Sequence, residues 1–185
     1  MRWGVLVALL VGALCVGAPT SYAATRVIPT EIRIPSIGVD GQLMGLGLNP
    51  DRTLQTPPLK TPLLAGWYVG APVPGDPGSA VVVAHVDGDG QPGLFLNLSK
   101  VKAGDDIYVT RSDGKTATFV VTQVAKYAKE PGDAVKGEQV FPSELFYSNQ
   151  AQSELHLATC GGRYDAANRN YLDSIVVYSN LVSLR

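Results

Sequence analysis

The sequence predicts an all-β domain. Twenty glycines and 13 prolines punctuate the chain densely, the stretches between them are short and β-rich, and hardly any long 3.6-residue apolar period is present. About 160 residues follow an apolar leader, enough for one domain with a real core and too few for two of ordinary size. With 15 basic against 16 acidic residues, a net charge of -1 and no basic run, the composition argues against nucleic acid or an anionic surface as partner.

The elements follow in chain order. Residues 1–24 have the architecture of a signal peptide or N-terminal membrane anchor. Arg2 precedes an apolar run from Trp3 to Ala18, about 16 residues against the roughly 20 that span a bilayer. Ser21-Tyr22-Ala23 offers small residues at a cleavage site, so cleavage and retention are both compatible with the sequence. Cys15 reads as an apolar residue of this leader, since Leu14 stands where a lipid-modified cysteine wants a small neighbour. Residues 25–31 read as a linker and 32–185 as the globular domain.

Ile32-Arg33-Ile34 opens that domain. Ser79–Val86 holds a continuous apolar run, Ala80–Ala84, expected of a strand buried on both faces. Asp106–Arg111 and Thr116–Tyr127 flank Ser112-Asp113-Gly114-Lys115 and read as a hairpin with an Asp-Gly turn. Glu154–Cys160 and Ser174–Ser179 complete the set, and a short helix is expected near Gly93–Leu98. Eight or so short, mostly antiparallel strands point to a barrel or sandwich.

Cys160 is the one cysteine outside the leader, in Leu157-Ala158-Thr159-Cys160-Gly161-Gly162. Exported proteins usually pair their cysteines, so a lone thiol calls for a purpose, and nucleophilic chemistry supplies one. That chemistry needs a thiolate, a proton-exchanging partner and a donor for the oxyanion. Of the two histidines, His156 lies four residues before Cys160 on the same expected strand, about 13 Å away at roughly 3.3 Å per residue. It reads as structural or solvated. His85, ending the Val-rich strand, is able to approach from a neighbouring strand and is the candidate partner. Arg169 and Arg163 both follow the cysteine closely and compete for the oxyanion.

At these residues the chain resembles a class F sortase of the kind found in actinobacteria, from about Ile32 to the C-terminus. Arg33-Ile34-Pro35-Ser36-Ile37-Gly38-Val39-Asp40 resembles the family's opening strand, Ala65-Gly66-Trp67-Tyr68 a later turn, and Ala84-His85-Val86-Asp87 its histidine motif. Thr159-Cys160-Gly161-Gly162 matches the cysteine motif, and Arg169 falls where sortases carry their essential arginine.

The resemblance implies a closed eight-stranded barrel with one or two short helices, in which His85, Cys160 and Arg169 converge. It implies transpeptidation: attack of the thiolate on the Thr-Gly bond of an LPXTG-like sorting signal, a thioacyl enzyme, and resolution by an amine of a cell-wall precursor. Thr159, Ala84 and Gly161 would line the substrate site. The implied partners are secreted proteins with a C-terminal sorting signal and the amine acceptor, and the membrane if the leader is retained. The enzyme would act as a monomer in the Gram-positive envelope, with no cofactor. Asp87-Gly88-Asp89-Gly90 reads as a turn rather than a calcium loop, and no zinc-ligand spacing is present. A non-catalytic barrel that binds wall or protein partners is the alternative. An L,D-transpeptidase fits poorly, because Ala158-Thr159 stands where its His-Gly would be, and a redox role lacks a resolving cysteine.

Overall fold

The computed structural model describes residues 26–132, 134–135, 138–143 and 151–185. The expectations for the leader fall outside them. Among the described residues no helix is long and apolar enough to cross a membrane.

The strands are β1 (Pro29–Ile34), β2 (Val39–Leu46), β3 (Ala65–Tyr68), β4 (Gly78–Ala84), β5 (Asp87–Gly88), β6 (Gln91–Pro92), β7 (Asp106–Arg111), β8 (Thr116–Ala128), β9 (Ser153–Asp165) and β10 (Asn170–Leu184). Eight of them close a barrel in the order β1-β2-β3-β4-β9-β10-β8-β7, with β1 pairing β7 to complete it. Most pairings are antiparallel, as expected, but β2–β3 and β4–β9 are parallel. Inward residues such as Ile32, Val82, Val109, Phe119, Leu155, Leu157 and Val177 fill the interior. A second apolar cluster, including Val81, Tyr127, Ala158 and Val176, lies on the outer face of β4, β8, β9 and β10.

Several expectations are corrected. The linker is shorter than expected, because Pro29–Glu31 already belong to β1. Ala65–Tyr68 is not a turn but the barrel strand β3, whose indole N–H in Trp67 donates to the Pro72 carbonyl at 2.9 Å. The helix near Gly93–Leu98 does not form; the only helical turn there is a 3-10 helix at Leu98–Lys100. The backbone N–H groups of Gly93 and Phe95 are instead spent on the carbonyls of Val86 and His85, at 2.9 and 3.0 Å. Gly93 is required at this crossing, since a Cβ there would collide with the His85 carbonyl. Asp87–Pro92 is a small hairpin with Asp89 and Gly90 at φ 51° and 73°, the double positive φ of a tight type I′ turn.

Candidate active site

The parallel ladder between β4 and β9 positions the candidate pair. Val81 faces His156 and Val83 faces Ala158, so alternation carries both strands two residues further to His85 and Cys160 on the same outer face. Both side chains are half-buried and line the same groove. His156 remains four residues down the strand, 3% exposed, edge-on to Tyr178 at 4.9 Å and 3.3 Å from the Glu154 carboxylate. It occupies a structural position.

His85 is held from two sides. Its carbonyl accepts from Phe95 N–H, and its Nε2 lies 2.6 Å from the Pro57 carbonyl oxygen. A carbonyl only accepts, so Nε2 carries a proton and Nδ1 is the nitrogen left for proton exchange. Thr159, buried between the strands, donates its hydroxyl to the Ala84 carbonyl at 2.8 Å and so ties the residue before Cys160 to the residue before His85.

The two glycines after the cysteine have separate reasons. A Cβ on Gly161 would come within 2.8 Å of the Ile175 side chain. Gly162 sits at φ 66°, where L side chains are strained, and a Cβ there would strike Asp173. Pairing shifts by one residue here: Gly161 faces Asp173 and Tyr164 faces Tyr171, so β9 carries one residue more than β10. This bulge bends the end of the hairpin immediately beyond the nucleophile candidate.

Two hollows meet at Cys160 and His85. One, of about 310 Å³, is an apolar groove with walls including Leu54, Pro57, Val83, Phe141 and Ala158; Ala84 and Thr159 also line it. The other, of about 470 Å³, is bounded by Asp87, Tyr164, Arg169 and Tyr171. Arg169 is exposed at φ 52° in the β9–β10 turn, with no hydrogen bond or ion pair among the described residues. Tyr171 donates to Asp87 at 2.6 Å, and that carboxylate, aided by burial, pushes the phenol up to about 12. Arg163 is engaged elsewhere: its guanidinium bonds the fully buried Asp173, and Glu138 at 2.9 Å. The Arg163 hydrogen bonds hold Asp173 down to about 2, below the usual carboxylate range.

Sequence reasoning passed over Lys129, which follows β8 and whose Nζ donates to Cys160 Sγ at 3.3 Å. Nothing local marks it; only the strand order brings it to the sulfur. Among the described residues no three His, Cys, Asp or Glu side chains gather as metal ligands.

The model of the sortase domain family matches residues 32–182. Sortase A from Listeria monocytogenes is similar in structure, at 19% identity over 86% of this chain and 89% of that one, with a TM-score of 0.60. Sortase A from Corynebacterium diphtheriae aligns at 23% identity over 88% of this chain and 64% of that one, with a TM-score of 0.60. Sortase C2 of group B Streptococcus pilus island 1 aligns at 23% over 83% and 73%, with a TM-score of 0.59. No curated protein matches the chain. At such identities the structures speak for the fold, whereas the family model covers nearly the whole described domain. The chain therefore belongs to the sortase family, and is a cysteine transpeptidase.

Proposed function

We propose that this sortase is of class F, and that Cys160, His85 and Arg169 carry out transpeptidation on an LPXTG-like sorting signal. The observation behind this reading is the β4–β9 ladder, which sets His85 beside Cys160 where the apolar groove and the Arg169 cleft meet. The sorting signal lies in the groove, its apolar residues against Leu54, Val83, Phe141 and Ala158. The Cys160 thiolate attacks the threonine carbonyl carbon, Arg169 donates to the developing oxyanion, and His85 Nδ1 hands its proton to the departing glycine amine. An amine entering from the Arg169 side then resolves the thioacyl enzyme. Arg163 does not take the oxyanion role, because Asp173 and Glu138 hold its guanidinium. Thr159, with its hydroxyl committed to Ala84, acts by fixing the two strands, Ala84 lines the groove, and Gly161 acts from behind, letting β9 pack closely on Ile175 next to Cys160.

On this reading residues 1–24 export the enzyme or anchor it in the cell membrane. It acts as a monomer at the Gram-positive envelope, on secreted proteins with a C-terminal signal and an amine acceptor of the wall precursor.

Incubation of wild type and Cys160→Ala with an LPXTG peptide and a small amine, followed by mass spectrometry, tests the reading. A thioacyl adduct and an amine-linked product in the wild type alone are expected. No adduct across several signal variants would favour a barrel used for binding.

A further inference from the structure

Charged and titratable groups surround Cys160 from every neighbouring element. His85 follows β4, Asp87 stands in β5, Tyr164, Arg169 and Tyr171 come from the β9–β10 hairpin, and Lys129 follows β8. Among the described residues the sulfur receives one hydrogen bond, and it comes from Lys129.

The backbone builds this contact. Tyr127, Ser174 and Cys160 lie opposite one another across β8, β10 and β9, forming one outward-facing row. Lys129, two residues beyond Tyr127, faces the same way, and its own N–H is fixed to the Leu172 carbonyl at 2.9 Å. To arrive at the sulfur its side chain must pass over β10, a gap of two strand spacings of about 4.8 Å, which demands a long stem. Ser174 beneath the path is small and, like the Lys129 stem, lines the groove. Asn170 Oδ1 accepts a second bond from Nζ at 3.2 Å and aims the ammonium. A lysine that merely solubilised this face would extend to water, whereas this one is half-buried and directed at two polar atoms from two strands.

We propose that Lys129 is a further catalytic residue, the cation that holds Cys160 as a thiolate while His85 carries the proton. The inference rests on Cys160 being the nucleophile. The thiol proton moves to His85 Nδ1, and Lys129 stays protonated against the sulfur anion. As the S–C bond forms, the negative charge passes to the carbonyl oxygen under Arg169. As the C–N bond breaks, His85 gives its proton to the leaving nitrogen. The two cations thus divide the work, Lys129 serving the sulfur and Arg169 the oxygen.

Alkylation of Cys160 in the full chain by iodoacetamide, followed by mass spectrometry, tests this without any sorting signal. It is therefore independent of a failed peptide assay. At pH 7 Lys129→Met is expected to react about tenfold more slowly than wild type, and at pH 9.5 within about twofold of it, because a thiol ionises there without help. Lys129→Arg should stay near wild type at both values, and Lys129→Gln provides a second neutral variant should methionine impair folding. A pH 7 to pH 9.5 rate ratio that is the same in all variants, including an equal slowing at both values, would overturn the proposal.

Discussion

Two arginines follow the cysteine, and their partners tell them apart. Arg163 is built into a network in which Asp173 and Glu138 also draw in Lys126, at 3.6 and 2.6 Å. Arg169 is exposed at the lip of the second cleft. Arg169→Ala is therefore expected to lower kcat/KM by about 100-fold or more with little change in melting temperature, the cost of losing one oxyanion donor. Arg163→Met should do the reverse, melting earlier while turnover per folded molecule stays within a few-fold of wild type. Kinetics and thermal melts on the same preparations decide, and a larger kinetic loss at Arg163 would exchange the two roles. That Cys160 and His85 meet at the same hollows was legible in the sequence, one being the sole thiol after residue 15 and the other the histidine not fixed to the same strand. The different surroundings of the two arginines were not, because Asp173, which occupies Arg163, lies ten residues on and meets it only across a hairpin. Lys129 was invisible for the same reason, its contact depending on register across three strands.

At the level of elements, the β9–β10 hairpin depends on Asp173, fully buried and bound by the Arg163 side chain and backbone. Its carboxyl titrates at about 2 when folded, against an ordinary value of 3.8 in the unfolded chain. The stabilisation is thus present above pH 4 and lost as pH falls through 3.8 toward 2, and is worth on the order of 2 kcal/mol. Asp173→Asn should be less stable than wild type at pH 7, with the gap in urea midpoint narrowing below pH 4; a gap constant down to pH 2.5 would show that the charge is not responsible. Strand assignments succeeded where local signals agree with packing, in the valine run of β4 and the Asp-Gly turn between β7 and β8. They failed at β2 and β3, whose glycines look like turn formers. Their glycines serve packing instead: a Cβ on Gly41 would meet the Leu94 side chain at 2.6 Å, and one on Gly66 would strike the Leu46 side chain. The expected helix after β6 failed likewise, its N–H groups being drawn to the His85 and Val86 carbonyls by contacts that no local pattern announces.

For the molecule as a whole, closure is non-local. The β1–β7 seam joins Ile32 to Val109, and Thr159 bonds to Ala84 across 75 residues of sequence. Such topologies fold slowly, because the entropy of closing large loops must be met before the contacts return anything. After dilution from denaturant, transpeptidase activity is expected to return with the slowest phase of tertiary fluorescence rather than with early far-ultraviolet signal. Recovery in the fast phase would mean that the site assembles without the parallel ladder. The β4–β9 pairing then has a consequence for the protein's early life. Until that ladder is made Cys160 lacks His85 beside it, and until β8, β10 and β9 pair it lacks Lys129, so the proposed activation of the thiol waits on both sets of pairings. On the proposed mechanism the unfolded chain is therefore latent, its reactivity following from strand pairing across the barrel rather than from any local run of sequence.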